Sequence, residues 1–172
     1  MLGSTLEAEA QVRRFTAAGG RGIVLRMGYF YGPEAESTLD TLALARRGGA
    51  FLSGSADAYY PAVWVDDAAT AVVAALRSAP SGVYDVVDDE PLTRRELARA
   101  IAEAAGRPFV LRPPVWLVKM VGGRQADFMV RSHRVSNARF KAATGWAPGV
   151  PSARHGWKLI GEAMHQPQHG PT

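Results

Sequence analysis

The 172-residue chain contains no cysteine. Disulfides, thiolate metal ligands and thiol nucleophiles are therefore excluded. No apolar run approaches the roughly 20 residues that a membrane-spanning helix needs. The first residues lack the pattern of a signal peptide. The sequence thus predicts a cytoplasmic protein without a membrane partner. A glycine-rich phosphate loop of the form G-x-x-G-x-x-G is also missing. Gly19-Gly20-Arg21-Gly22 precedes an apolar run instead of following one, so it reads as a helix stop.

Acidic residues become scarce toward the C-terminus. Residues 1–103 carry ten basic and fourteen acidic side chains, whereas residues 104–172 carry ten basic and two acidic. Between Arg107 and Lys158 the only acid is Asp127. Such a stretch either attracts anions such as phosphates and carboxylates or forms a solvated arginine-rich surface. It contains no recognisable nucleic-acid-binding motif, which argues against a nucleic-acid partner.

What is present is ordinary globular composition, 47% hydrophobic and 21% charged, in a chain long enough to bury a core. We expect one domain over residues 1–165 and a disordered tail over 166–172. Leu6 to Ala17 reads as a helix. Gly22-Ile23-Val24-Leu25-Arg26 reads as a short, central, buried parallel strand. Ser37 is placed as the cap of a helix to Arg47, and Asp66 or Asp67 as the cap of one ending near Leu76. Val83 to Val87 is a second buried strand, and Asp88-Asp89-Glu90-Pro91 a turn. Thr93-Arg94-Arg95-Glu96 has capping-box spacing and opens a helix to Ala105. Phe109-Val110-Leu111 is a short strand. A helix is expected from Pro113-Pro114 to Val121, another after Ser136 ending at Gly145, and a last one from Ser152 to Met164. Alternating strands and helices predict a layered parallel α/β protein.

Four segments carry a resemblance. Leu25-Arg26-Met27-Gly28-Tyr29-Phe30-Tyr31-Gly32-Pro33 resembles Arg-Pro-Gly-Asn-x-Tyr-Gly-Pro. Val63-Trp64-Val65-Asp66-Asp67-Ala68-Ala69 resembles Val-His-Val-x-Asp-x-Ala. Gly82-Val83-Tyr84-Asp85-Val86, with Thr93 and Glu96-Leu97, resembles Gly-x-Tyr-Asn-x-Gly followed by Thr-x-x-Glu-Leu. Gly145-Trp146-Ala147-Pro148 resembles Leu-Gly-Trp-x-Pro. In this order the segments resemble the NAD(P)-dependent epimerase/dehydratase family, the extended or atypical short-chain dehydrogenases/reductases, over its C-terminal portion only.

The resemblance implies the C-terminal part of a Rossmann-like parallel sheet with a small mixed α/β substrate-binding lobe. It implies NAD or NADP as the cofactor of a full-length parent, with oxidation or reduction at a carbinol or keto carbon of a small molecule. A sugar nucleotide is one such substrate, and a homodimer is one such assembly. The nucleotide-binding half would be absent, so the fragment should be inactive and should not bind the cofactor tightly. The family's Tyr-x-x-x-Lys acid/base pair falls on Met1 and Thr5, which cannot transfer the proton, so no catalytic residue is assigned. The rival reading is a non-catalytic relative that senses a dinucleotide or binds a partner.

By the resemblance, Met27, Gly28 and Tyr29 border the nicotinamide, and Tyr29 also borders the substrate. Gly28 would allow close backbone approach. Tyr29 stands in place of the family's asparagine. Tyr60 stands in place of an arginine that contacts diphosphate in sugar-nucleotide enzymes. Tyr59 and Tyr60 either stack on a ring or are exposed loop aromatics. Among Arg131, Arg134 and Arg139, the family comparison points to Arg134 as the contact for an anionic end of the substrate. A solvated basic face is the alternative. His133 and His155 have no carboxylate near them in sequence, and His165 and His169 flank a proline, so no metal site is expected.

Overall fold

The computed structural model describes residues 2–50, 52–113, 120 and 131–165. Helix α1 (Leu2–Ala17) leads through glycines into strand β1 (Ile23–Met27). The two are tied by Glu9, a buried carboxylate that accepts two hydrogen bonds from Arg26, each 2.9 Å. Strand β2 (Tyr29–Tyr31) follows after one residue, and helix α2 (Glu36–Arg46) after a turn. Next come β3 (Tyr59–Tyr60), β4 (Ala62–Trp64) and helix α3 (Val65–Ser78). Strand β5 (Gly82–Val86), β6 (Leu92–Thr93) and α4 (Arg94–Ala104) precede α5 (Ala138–Thr144) and α6 (Ala153–His165).

The pairing is mainly parallel. Ile23 to Met27 lie opposite Gly82 to Val86, and Tyr29 to Tyr31 lie opposite Ala62 to Trp64. Gly28 is the switch point. Its own N–H donates to Val86, while the next N–H, of Tyr29, donates to Pro61, both at 2.9 Å. The backbone thus leaves one neighbour and joins another within two residues. A Cβ at position 28 would stand 3.0 Å from the Ala62 carbonyl carbon, so only glycine fits without displacing β4. β3 and β6 form an antiparallel pair, Tyr59 against Thr93 and Tyr60 against Leu92.

Two cores result. One lies against the sheet, with Val63, Ala71, Tyr84, Val86, Phe140 and Trp146. The other fills the lobe, where α4 and α6 pack on Tyr31, Leu42, Leu92 and Trp157. Small residues bring those helices together: a Cβ on Gly161 would meet Ala104 Cα at 2.9 Å. The expected capping box is formed, Thr93 with Glu96, and opens α4. Gly145 ends α5 in the left-handed conformation, φ 71°.

Several local expectations are corrected. α3 begins at Val65, and neither aspartate caps it. Asp66 instead accepts from the Trp64 indole at 3.1 Å. Asp67 reaches across the fold to the N–H groups of Gly149 and Val150, at 2.7 and 2.9 Å. A buried carboxylate is worth more on two tertiary N–H donors than on its own exposed helix end. Ser37 lies inside α2, whose cap residue is Ala35, and Asn137 replaces Ser136 ahead of α5. Phe109 to Leu111 contributes a single bridge, Gly49 with Leu111, in place of a strand. β1 is only half-buried, because among the described residues it pairs on one edge alone. Of the expected helix from Pro113-Pro114 to Val121, residues 114–119 and 121 lie outside the described residues, as does the tail from Gln166.

Trp146 closes the sheet core directly after the α5 stop. Its ring lies 5.4 Å from Phe140 and its indole N–H donates to Thr70 at 3.0 Å. Trp146→Ala should cost about 3–5 kcal/mol, the usual range for emptying a large aromatic site. A urea melt of the variant checks this, and an unshifted midpoint would contradict the packing described.

Candidate functional site

The carboxyl end of β1 opens onto a cleft of about 350 Å³. Arg26, Met27, Gly28 and Tyr29 line it from β1 and β2, Asp85 and Val87 from β5 and just beyond, with Pro61, His133 and Val135 completing it. Open α/β sheets take ligands at this end of their strands. On the other side of Tyr29 lies a second cleft, of about 180 Å³. Its walls are Tyr29, Phe30 and Tyr31 of β2, Ser37, Thr38 and Thr41 of α2, Tyr60 of β3, and Trp157 of α6. Tyr29 lines both clefts.

The aromatic residues are fixed by each other. The Tyr29 and Tyr60 rings are stacked, with centroids 4.4 Å apart. Tyr31 stands edge-on to Trp64 at 5.3 Å and parallel to Trp157 at 6.5 Å. Burial, and secondarily the neighbouring Tyr29, push the Tyr60 hydroxyl well above the ordinary phenol range. It therefore remains a proton donor at neutral pH.

The segment after residue 130 is drawn to this site by backbone contacts. Tyr59 N–H donates to the Ser132 hydroxyl at 3.0 Å, and His133 N–H to the Tyr59 carbonyl at 3.4 Å. Arg94, at the start of α4, is buried and donates to the Arg131 carbonyl at 2.8 Å. Burial holds its guanidinium below the usual arginine range. Arg134 then lies over the Tyr59 ring, 5.3 Å from the centroid.

The structure gathers Met27, Gly28 and Tyr29 around one cleft, and Tyr29 with Tyr60 around the other. Arg134 lines neither and covers Tyr59 instead. Gly28 does line the larger cleft, yet the close approach that requires a glycine is to the Pro61–Ala62 backbone. His133, Val135 and Asp85 were not singled out for this cleft from sequence. They converge only through long-range pairing, which leaves no local signal. Arg94 was likewise missed, being read only as part of a helix start.

The basic C-terminal stretch is largely occupied internally. Arg107 donates to the Arg46 carbonyl, and Arg112 to the carbonyls of Leu52 and Gly54. Lys141 pairs with Asp89, and Arg154 with Glu90 and Glu96. Arg139 covers the Tyr84 ring. Much of the positive charge therefore ends on carbonyls, carboxylates and rings. Among the described residues no three His, Asp or Glu side chains stand together as a metal site. No described helix is long and apolar enough to cross a membrane.

These residues suit one ring-sized end of a dinucleotide better than its pyrophosphate. Met27, Pro61, Val87 and Val135 give the larger cleft an apolar lining, whereas its arginine, Arg26, is already engaged by Glu9. A pyrophosphate needs convergent N–H donors at a glycine-rich helix start, and the sequence has none.

No family model matches the chain. A 3-diazoavenalumate denitrifying reductase from a Streptomyces species is 31% identical over 157 residues, covering 89% of this chain and 52% of the relative. The solved human epimerase family protein SDR39U1, bound to NADPH, superposes with a TM-score of 0.74 at 27% identity, over 83% of this chain and 49% of that one. The Thermus thermophilus UDP-glucose 4-epimerase, in complex with NAD, gives 0.64 at 28% identity, over 90% and 50%. The chain spans about half the length of each of these proteins. It has the α/β fold of the NAD(P)-dependent epimerases, dehydratases and reductases, matched over about half of their length. Nicotinamide dinucleotides are the cofactors bound in these neighbours.

One buried acid at the lobe gives a measurable pH signature. Asp88 follows β5, is 5% exposed and accepts from the Tyr31 hydroxyl at 3.2 Å. Burial is the largest influence and raises its carboxyl from 3.8 to about 7. The Tyr31 hydrogen bond lowers it, and the Asp67 and Asp89 charges raise it. An acid with a folded pKa above its unfolded value binds its proton more tightly when folded. Its contribution to stability is fully present below pH 3.8 and is lost as pH rises through 7. At about 1.4 kcal/mol per pKa unit, the span is at most about 4 kcal/mol. Urea melts between pH 4 and 8 should show stability falling with pH in the parent protein and a flatter profile in Asp88→Asn. Parallel profiles would remove Asp88 as the cause.

Proposed function

We propose that this chain is the substrate-binding part of an NAD(P)-linked enzyme that oxidises or reduces a carbinol or keto carbon of a small molecule. The observation that carries the reading is the cleft at the carboxyl end of β1. Met27, Gly28, Tyr29, His133 and Val135 are among the residues that line it. The nicotinamide ring would lie against Met27 and Gly28, and the substrate against Tyr29 and Tyr60. Bound there, the dinucleotide supplies the hydride chemistry. The chain's own residues would orient the substrate and exclude water. An anionic end of the substrate would meet Arg134, whose face over Tyr59 borders the same segment. Cytoplasmic location fits a cofactor of this kind.

A nucleotide-binding half would have to complete the site. The chain spans half the length of its relatives. Among the described residues the second edge of β1 has no strand partner. A two-stranded parallel sheet is not a stable unit alone, and parallel sheets are normally covered on both faces. α3 also leaves Val65, Val72, Val73 and Leu76 exposed on one side, spaced as a helical stripe. Without that half the chain should be inactive. The non-catalytic alternative is favoured by Thr5, which stands where the resemblance expects the acid/base lysine.

Calorimetry with NADPH and NAD is expected to show no micromolar binding to this chain alone. A chimera should bind the dinucleotide when the chain is joined to the half of the Streptomyces reductase that it does not match. Micromolar affinity of the isolated chain would overturn the division of labour. A chimera that binds NADPH without hydride transfer to carbonyl substrates would favour the non-catalytic reading.

A further inference from the structure

We infer that the cleft between β2 and α2 is a subsite for a single aryl ring, so that the substrate of this protein is a monocyclic aromatic compound. The inference rests on the functional reading above only for the nearness of this cleft to the reacting end.

Three observations carry it. The first is size. The cleft measures about 180 Å³, and an apolar cavity of about 150 Å³ is known to accommodate a benzene ring. A sugar nucleotide, with a base, two sugars and a diphosphate, is far larger than this space. The second is the wall. Tyr29, Phe30, Tyr31, Tyr60 and Trp157 all face it. Ring faces and edges in this arrangement complement a planar π-system, which prefers offset-stacked or edge-on contact. The Tyr29–Tyr60 stack shows that the wall already accepts one ring plane against another. Phe30, 54% exposed, leaves part of its ring open to the cleft mouth.

The third is charge. Among the described residues no Lys, Arg, His, Asp or Glu lines the cleft. Among the described residues, the polar side chains in its lining carry hydroxyls. Thr41 donates to the Ser37 carbonyl at 2.7 Å, and Thr38 accepts from the Gly32 N–H at 3.2 Å. Those hydroxyls retain acceptor capacity for a phenol or a similar neutral donor. A diphosphate would be left without a cation in this cleft. Charged parts of a substrate would have to lie outside this cleft.

The test uses the whole chain without cofactor, with 4-hydroxybenzaldehyde as probe and ligand-observed NMR as readout. Low-millimolar, saturable binding is expected. Thr41→Trp, at a half-buried rim position of α2, should fill the cleft and weaken binding at least tenfold. Tyr60→Ala should also weaken it, by removing the stacked wall. Melting curves identify any variant that fails to fold, and Thr41→Trp remains informative if Tyr60→Ala does so. Cyclohexanecarbaldehyde should bind more weakly than the aryl probe, and UDP-glucose should not displace it. The proposal is overturned if the aryl probe does not bind, if Thr41→Trp leaves its affinity unchanged, if the cyclohexyl compound binds equally well, or if UDP-glucose competes. A chimera lacking hydride transfer while aryl binding persists would count against the enzymatic reading alone.

Discussion

The site depends on one backbone contact, the approach of Gly28 to Pro61–Ala62. There the chain exchanges its β5 neighbour for β4. A strand that kept its β5 pairing through residue 31 would not run along Ala62 to Trp64 as β2 does. The exchange instead turns the chain so that Tyr29 separates two clefts, one backed by β1 and β5, the other by α2 and the lobe. Its cost is the loss of any side chain at position 28, since even a Cβ would press on the neighbouring backbone.

Buried polar groups hold the surrounding segments in place. Asp67 fixes the chain at Gly149 and Val150. Arg94 fixes the Arg131 carbonyl, and Asn137 donates to the Val87 carbonyl and to Asp89, both at 2.8 Å. Each is a long-range contact made by a group that is costly to bury unpaired. The connections they hold are irregular loops, which regular backbone pairing cannot secure. The lobe is therefore specified by a few polar contacts laid over an alanine-rich helix packing.

This explains what was legible in the sequence. Helices α4 and α5 were readable because capping and periodicity act within four residues, as in the Thr93–Glu96 box and the Gly145 stop. β1 and β5 were readable as short apolar runs. The roles of Asp66 and Asp67 were not, because a helix-start pattern describes a local donor, whereas the nearest good donors to Asp67 lie some eighty residues away in sequence at Gly149 and Val150. β1 reads as a central strand from its composition, but centrality belongs to the sheet and not to the strand. Tyr29 and Tyr60 could each be singled out, yet no spacing rule links residues on β2 and β3, and their stacking appears only after folding. The basic stretch misled for a related reason: net charge counts side chains, and most of the described ones are already spent on carbonyls, carboxylates and rings.

The energetics of the two clefts differ in kind. Burying one aryl ring yields about 1.5–3 kcal/mol, as for a phenylalanine side chain, whereas even millimolar affinity corresponds to about 4 kcal/mol. A ring in the aromatic cleft therefore contributes only part of what binding requires, with stacking and hydroxyl contacts adding the remainder for a small probe. What the proposed ring subsite would supply is orientation: a ring seated against Tyr29, Tyr60 and Trp157 could present its substituent in few directions, and Tyr29 lines the larger cleft as well. Affinity for a complete substrate must then come from across Tyr29, where the apolar floor of Met27 and Val135 meets whatever group closes the open edge of β1. On this proposal, selectivity and reactivity would be carried by different surfaces. Changes at Tyr60 or Thr41 should alter which ring is held, while changes at Gly28 disturb both clefts together, because both depend on the strand exchange there.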